Sequence, residues 1–248
     1  MKDSLFQDYS KKHVQFYDEG HHILVEFGLA LVKEIFGKPS ILDLGCGDGR
    51  LLFALNKKGL LNNVNEIVGV DISEKRIDRM TKELPLVKGV VSDAINVKCC
   101  PSSHFNYIIC SQLIEHVEDD DALVVEIKRL LRSGGLAYIS SVIKSWYGVY
   151  FYFSNGSFRL DPTHVREYKS VDEFVGMIAG KGFEAVHVNT HQVMFPLLDL
   201  TIRLFVKFGL MEPDVSFFQK HKFLSKIRKL LIPVVGYKSV EVLAKKIE

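Results

Sequence analysis

The stretch that decides the fold reads Ile41-Leu42-Asp43-Leu44-Gly45-Cys46-Gly47-Asp48-Gly49-Arg50-Leu51-Leu52. Three of its first four residues are apolar, which is typical of a short strand covered on both faces. Glycines at every second position then allow a tight turn and a close approach of the backbone to a ligand. The leucines that follow open a helix, whose first N–H groups have no partner within the helix. This unit predicts a site for a small polar ligand.

Charges around the turn favour a cationic ligand over a dinucleotide. A dinucleotide site uses G-x-G-x-x-G with pyrophosphate at the helix N-terminus, and Arg50 stands where the third glycine would be. Asp43 and Asp48 flank the turn, and two carboxylates repel a pyrophosphate but attract a cation. S-adenosylmethionine carries an ammonium and a sulfonium. Asp71 ends the next apolar run, where a carboxylate can accept hydrogen bonds from both ribose hydroxyls.

Apolar runs alternate with helical patterns along most of the chain. The predicted strands are 40–44, 66–71, 86–91, 106–110, 136–142, 183–191 and 237–246, and the predicted helices are 20–36, 49–58, 74–83, 119–132 and 171–181. This alternation predicts an α/β fold, with a parallel core sheet and helices on both faces. Ligands of such sheets bind beyond the carboxyl ends of the strands.

Five motifs, in this order, resemble the class I S-adenosylmethionine-dependent methyltransferases of the small-molecule type, which include the quinone-biosynthesis methyltransferases. They are Asp43-Leu44-Gly45-Cys46-Gly47-Asp48-Gly49, Gly69-Val70-Asp71, Ser92-Asp93-Ala94, Ile114-Glu115-His116-Val117 and Leu130-Leu131-Arg132-Ser133-Gly134-Gly135. The resemblance covers about residues 20–190. It implies a single domain over 1–248 with a Rossmann-like sheet of seven strands in the order 3-2-1-4-5-7-6, in which strand 7 is antiparallel.

The same resemblance implies how the cofactor would be held. The turn 45–49 would hold the methionine end, with Asp43 near its ammonium, and Asp71 would take the ribose hydroxyls. Asp93 would accept from the adenine amino group, with Ala94 beside the ring. The full set of implied cofactor-binding residues is Asp43, Gly45, Cys46, Gly47, Gly49, Asp71, Ile72, Asp93, Ala94, Ser111 and Gln112. The product of methyl transfer would be S-adenosylhomocysteine.

The acceptor is expected to be an oxygen, although carbon and nitrogen acceptors stay open. Methyltransferases that act on exocyclic amino groups of bases carry a polar-Pro-Pro-aromatic tetrad after the fourth strand, and this chain has Ser111-Gln112-Leu113-Ile114 there. A hydroxyl acceptor needs a base that removes its proton. His116 is the first candidate because it follows the fourth strand and its side chain titrates near neutrality. His164 and Tyr168 are second candidates.

A structural role is the alternative for His116, as a residue at the start of a helix bonded to backbone. No metal site is expected. The carboxylates near His116 resemble ordinary first-turn residues of a helix, and Cys46, Cys99, Cys100 and Cys110 have no metal-binding spacing.

Three segments fall outside the core pattern. Residues 1–36 form an N-terminal helical segment whose first part is either a lid over the cofactor or a surface helix. The aromatic-rich loop 144–168 is either a wall of the acceptor pocket or a satellite core. Residues 192–235 form an insertion between the last two strands, with helical patterns over 196–209 and 222–232.

Charge is distributed unevenly between this insertion with its tail and the rest. Residues 201–248 contain ten Lys/Arg and four Asp/Glu, whereas the rest of the chain contains 22 and 26. A basic and apolar insertion can cap a pocket, contact another subunit, or lie on an anionic membrane surface. The net charge of +2 is too small to argue for nucleic acid. Signal-peptide and membrane-span patterns are absent from the sequence, so we expect a cytoplasmic location with peripheral membrane contact through 192–235.

The expected function is methyl transfer to a hydroxyl of a hydrophobic small molecule, such as a lipid or a quinone-like precursor. One alternative is methylation of RNA or protein through the basic C-terminal region. Another is a binding module that keeps the fold without catalysis.

Overall fold

A computed structural model describes residues 22–150, 152–154, 157–196 and 230–247. Its helices are α1 Ile23–Phe36, α2 Arg50–Lys57, α3 Glu74–Glu83, α4 Asp120–Leu130 and α5 Val171–Ala179. Its strands are β1 Ser40–Leu44, β2 Glu66–Asp71, β3 Lys88–Val91, β4 Phe105–Ser111, β5 Leu131–Lys144, β6 Tyr152–Ser154, β7 Ser157–Arg159, β8 Phe183–Pro196 and β9 Leu231–Lys246.

Seven of these strands form one sheet in the order β3-β2-β1-β4-β5-β9-β8. Neighbours from β3 to β5 pair in parallel, and β9 is antiparallel to both β5 and β8. Strands β6 and β7 form a separate hairpin. With that hairpin set aside, the predicted strand order and the antiparallel last strand are confirmed.

Strand β1 is buried along its whole length because helices cover both faces of the sheet. Successive side chains of a strand point to opposite faces. Ile41 accordingly joins a cluster with residues of α1, α2 and α3, whereas Leu42 joins a second cluster with residues of α4 and α5. The strand that carries the glycine turn is therefore held from both sides, which fixes the position of the turn.

Helix α1 is part of this core. Its residues Leu24, Val25, Leu29 and Val32 are buried, and the Tyr107 hydroxyl donates to the Val25 carbonyl at 3.0 Å. The predicted lid lies in residues 1–21, outside the described residues. Among the helices described, none is long and apolar enough to cross a membrane.

The predicted helix 119–132 is too long, and the predicted strand 136–142 is too short. Helix α4 begins as predicted, with the Asp119 carboxylate accepting from the Ala122 N–H at 2.8 Å. It ends at Leu130 because the N–H groups of Ser103 and His104 donate to the carbonyls of Arg129 and Leu130. Strand β5 begins at once, since Leu131 pairs with Phe105.

The insertion between the last two strands is shorter than the predicted 192–235. Pairing between β8 and β9 extends through Met194–Pro233 to Pro196–Leu231. The Gln192 side-chain amide supports this extension by donating to the carbonyls of Val234 and Tyr237. The predicted helices 196–209 and 222–232 are therefore wrong at their strand-paired ends, and their remaining residues lie outside the described part.

Candidate active site

The glycine turn is fixed to the end of the neighbouring strand β2. The N–H groups of Gly45 and Cys46 donate to the Val70 carbonyl at 2.8 and 2.9 Å. Gly45, Gly47 and Gly49 have φ values of 77°, 55° and 77°, a region that side chains other than glycine enter at a cost. A Cβ at Gly49 would also lie 2.5 Å from Met80 Cγ. The turn thus requires glycine for its backbone and for its packing.

Replacing Gly49 with alanine is expected to destabilise the fold by about 2–4 kcal/mol, because left-handed strain of about 1–2 kcal/mol adds to overpacking of about 1–3 kcal/mol. Gly134→Ala is the control. Gly134 also has a positive φ, 72°, yet a Cβ there would meet nothing within 4 Å. Urea unfolding of both variants measures the difference. Equal losses of unfolding free energy would contradict the role assigned to the Met80 contact.

Asp71 joins three loops at the carboxyl end of β2. Its carboxylate accepts from the Gly47 N–H at 3.0 Å and from the Ser73 N–H at 2.9 Å. Its carbonyl accepts from the Ser92 N–H at 3.1 Å. Each carboxylate oxygen has a further lone pair. Asp71 therefore shapes the turn and can still accept from two hydroxyls.

The two carboxylates that flank the turn differ in their partners. Asp48 is buried, and it accepts from Arg79 Nε at 2.6 Å, so its charge is compensated within the protein. Asp43 is also buried. Burial, and then the nearby Asp71 charge, raises the pKa of Asp43 to about 7. A buried carboxylate is costly to ionise without a cation, so Asp43 is the group suited to a cationic ligand.

Most of the other implied cofactor residues follow the ends of neighbouring strands. Ile72 is 49% exposed beside Asp71. Asp93 accepts from the Ile95 N–H at 3.1 Å, and Ala94 is buried. Cys46 is buried within the turn, and burial raises the pKa of its thiol. Because β3, β2, β1 and β4 are adjacent and parallel, these residues share one edge of the sheet.

Ser111 ends β4 at the same edge, and Gln112 follows it. Gln112 has a φ of 52°, a left-handed conformation that is uncommon outside glycine. Ser140 of β5 holds it there, accepting from the Gln112 N–H at its carbonyl and from the side-chain amide at its hydroxyl, both at 3.2 Å. The Ser111 hydroxyl lies 3.4 Å from the same Ser140 hydroxyl. The chain direction after β4 is therefore set by contacts with β5.

His116 and His164 come from two different loops but lie side by side, with ring centroids 4.9 Å apart. The loop that carries His164 (residues 160–170, the second loop) docks on backbone carbonyls of the loop that carries His116 (residues 112–119, the first loop). The Val165 N–H donates to the Glu115 carbonyl at 2.8 Å, and Arg166 Nη1 donates to the Val117 carbonyl at 2.7 Å. Two of the three predicted catalytic candidates are thus brought together at the end of β4.

Each imidazole has its Nδ1 atom engaged by the second loop. His116 Nδ1 lies 3.0 Å from Thr163 Oγ1, and His164 Nδ1 lies 3.1 Å from Glu167 Oε1. Burial, and then the neighbouring His164, lowers the pKa of His116 to about 4. His116 is therefore neutral at pH 7.

Glu115 is a component of this group that sequence reasoning missed. It is fully buried and lies in a turn before α4, which begins at Asp120, so its interpretation as an ordinary first-turn residue is wrong. One carboxylate oxygen accepts from the Ser141 hydroxyl at 2.9 Å, and Oε1 has no hydrogen-bond partner among the described residues. Burial raises the pKa of Glu115 to about 7.

The ligand atoms of Glu115, His116 and His164 all lie within 4.8 Å of one another. This group is compact enough to hold a metal ion, which the spacing of these residues in the sequence did not indicate. The expectation that no metal takes part stays a prediction.

The third candidate, Tyr168, has a structural contact. Its hydroxyl donates to Asp120 Oδ2 at 2.8 Å, and its ring packs against Phe174 of α5. Burial, and then the contact with Asp120, raises its pKa above the ordinary value for tyrosine. Tyr168 therefore ties the second loop to α4, and none of these contacts supports a catalytic role.

The aromatic loop 144–168 divides into two parts. Trp146 is 94% exposed, so it lines no enclosed wall among the described residues. Tyr150 packs against Phe195 and Tyr237, with ring centroids 5.9 and 6.2 Å away. Tyr150 therefore belongs to a satellite cluster on β8 and β9. Residues 151, 155 and 156 lie outside the described part, and the prediction of an acceptor-pocket wall stays open for them.

Comparisons with known proteins show which proteins this chain is similar to. The profile of a methyltransferase domain family matches residues 12–188. A ubiquinone biosynthesis O-methyltransferase of Coxiella burnetii is 29% identical over 134 residues, which cover 52% of this chain and 55% of the relative. The chain thus spans about half the length of the curated relatives it matches.

Two solved structures share the fold. An S-adenosylmethionine-dependent methyltransferase from Archaeoglobus fulgidus has a TM-score of 0.53 at 22% identity and covers 98% of this chain and 99% of its own. The cyclase SpnF has a TM-score of 0.60 at 16% identity and covers 99% of this chain and 93% of its own. Since the family profile matches well over half of the chain, the protein belongs to the methyltransferase domain family, among the class I S-adenosylmethionine-dependent methyltransferases.

Proposed function

We propose that this protein transfers a methyl group from S-adenosylmethionine to a hydroxyl of a hydrophobic small molecule, such as a lipid or a quinone-like precursor. The observation that carries the proposal is the placement of the His116 imidazole, neutral through burial, at the end of β4. Strand β4 is adjacent to β1, which carries the glycine turn. A methyl-donor site and a proton acceptor at the same edge are what transfer to a hydroxyl requires.

The residues present fit this cofactor. Asp43 would meet its ammonium, the turn 45–49 would hold its methionine end, and Asp71 would accept from its ribose hydroxyls. Asp93 would accept from its adenine amino group. When bound, the cofactor supplies a methyl group on a sulfonium, which an oxygen displaces in line. The protein's part is to orient both reactants and to remove the hydroxyl proton, which we assign to His116, with His164 beside it.

The test is incubation with methyl-labelled S-adenosylmethionine and a panel of hydroxylated aromatic and isoprenoid compounds, with the product identified by mass. The label must be followed in the product, because a cyclase shares the fold and consumption of substrate alone would not report methyl transfer. Micromolar cofactor binding in calorimetry is also expected. Absence of binding would overturn the proposal, and label in RNA or protein would support the macromolecular alternative instead.

Peripheral membrane contact through the insertion is a separate proposal about location. The apolar and basic composition of residues 197–229 supports it. Liposomes containing anionic lipid would be sedimented with the full chain and with a variant in which a short glycine-serine linker replaces these residues. Equal partitioning of the two forms would contradict the proposal.

Cofactor affinity is expected to fall as the pH is lowered from about 7 to about 5.5, by up to roughly tenfold per unit. Asp43 has a pKa of about 7 in the free protein, and a bound ammonium would favour its ionised form. Below pH 7 binding must therefore release a proton from Asp43. The range lies below the usual pKa of an α-amino group, about 7.7–8.0, so the ligand itself stays charged. Calorimetry of the wild type and of Asp43→Asn checks this, and a slope that persists in the variant would contradict it.

A further inference from the structure

We infer that Asp161 and Thr163 act as positioning residues that hold the proton of His116 on Nδ1, leaving Nε2 as the nitrogen that accepts a proton. The catalytic half of this inference rests on the proposed function. The tautomer itself does not, because it is a property of the free protein.

The argument begins with the single hydrogen of the Thr163 hydroxyl. Asp161 Oδ1 lies 2.5 Å from Thr163 Oγ1 and also accepts from the Thr163 N–H at 2.8 Å. An ionised carboxylate is a stronger acceptor than an imidazole nitrogen, and this oxygen is the closer of the two. The hydroxyl hydrogen therefore goes to Asp161, and the lone pairs of Oγ1 are left for the imidazole.

His116 Nδ1 lies 3.0 Å from that same Oγ1. With the hydroxyl hydrogen already committed to Asp161, a hydrogen bond at this distance requires the hydrogen to be on Nδ1. In a neutral imidazole with Nδ1 protonated, Nε2 is the basic atom.

Asp161 also supplies a charge to this chain of contacts. Burial alone would raise the pKa of Asp161, but hydrogen bonds from Thr163, followed by the two histidines, hold it below its ordinary value. An ionised carboxylate thus stands one hydroxyl away from His116. In Ser-His-Asp triads a carboxylate fixes the histidine tautomer and stabilises the imidazolium that forms. Here the Thr163 hydroxyl would stand between the carboxylate and the histidine and pass on the same effect.

The neighbouring histidine is held in a similar way, which supports this interpretation of the second loop. Glu167 Oε1 lies 3.1 Å from His164 Nδ1 and accepts from the Leu160 N–H at 2.6 Å. His164 and Glu167 are both almost fully buried, with side chains 5% exposed. Each imidazole is therefore linked through its Nδ1 atom to a carboxylate of the second loop. The link is direct for His164 and passes through the Thr163 hydroxyl for His116.

Nitrogen-15 NMR of the histidine rings at pH 7.5 tests the tautomer without any assay of activity. Wild type and Thr163→Ser are expected to show His116 protonated on Nδ1, and Thr163→Val to show a mixture. Asp161→Ala is expected to move the proton to Nε2, because the Thr163 hydroxyl can then donate to Nδ1. A wild-type His116 protonated on Nε2 would overturn the inference, as would an unchanged tautomer in Asp161→Ala.

The rate of methyl transfer tests the catalytic half of the inference, which is the role of Nε2 as proton acceptor. Thr163→Val is expected to lower kcat by about 10- to 100-fold with the KM for S-adenosylmethionine unchanged, and Thr163→Ser to restore most of the rate. A purely structural role would lower the thermal midpoint of Thr163→Val without this split between kcat and KM. A stoichiometric metal on the purified protein, together with activity lost to a chelator, would assign His116 to a metal instead and overturn the inference. If the wild type transfers no methyl group, the proposed function fails, while the NMR result still decides the tautomer.

Discussion

Asp71→Ala is expected to weaken S-adenosylmethionine binding by at least about 100-fold, the largest effect on the cofactor that we predict for a single substitution. The carboxylate accepts from the N–H groups of Gly47 and Ser73, and hydrogen bonds to a charged group contribute about 1.5–3 kcal/mol each. Removing it would release the glycine turn and delete the proposed acceptor for two ribose hydroxyls. The loss should therefore exceed that of either role alone.

Calorimetry of Asp71→Ala and Asp78→Ala separates this effect from a change in net charge. Asp78 is an exposed residue of α3, so its replacement removes the same charge and should leave the affinity within twofold. Asp71→Asn is expected to lie near the alanine variant, because its amide group would place an N–H against one of the two backbone N–H donors. Cofactor affinity retained in Asp71→Ala would contradict the assignment of the whole cofactor site to this edge of the sheet.

The features that the sequence predicts correctly are those that short stretches encode. The strand–turn–helix unit around Gly45 depends on glycine backbone conformations and on the alternation of Ile41 and Leu42, and both are local. The order of the strands and the antiparallel last strand come from the resemblance to the family, and the structure confirms them.

The features that the sequence does not predict depend on contacts between distant residues. Helix α4 ends at Leu130 because the N–H groups of Ser103 and His104 donate to its last two carbonyls. No sequence pattern within 119–132 indicates that the helix ends there. Pairing between β8 and β9 makes both strands longer than predicted. Met194 and Phe195 are therefore strand residues, although the predicted helical pattern begins at 196.

The pairing of His116 with His164 is of the same kind. It follows from the docking of Val165 and Arg166 on the loop after β4, where the Val165 N–H and the Arg166 guanidinium donate to backbone carbonyls far away in the chain. One local signal was present in the second loop. Asp161-Pro162-Thr163 is a sequence in which an aspartate accepts from a backbone N–H two residues on, as it does here. That turn places the Thr163 hydroxyl next to His116.

His116→Gln is expected to lower kcat by about 10²- to 10⁴-fold, the range attributed to a well-placed general base, while cofactor affinity stays unchanged. Glutamine retains a polar side chain but cannot take up a proton at neutral pH. His187→Gln is the control, since His187 is exposed on β8 and packs beside Phe27, on an element that contributes nothing to the proposed site.

Single-turnover measurements with saturating S-adenosylmethionine separate the methyl-transfer step from product release. In this assay His164→Gln should reduce the rate less than His116→Gln, because we place the proton on His116 and regard His164 as its neighbour. A larger loss of rate in His164→Gln would mean that His164 is the proton acceptor and His116 its neighbour. Equal rates for wild type and His116→Gln would mean that the acceptor loses its proton to another group or reacts as the anion already formed, and the base assigned here would then be wrong.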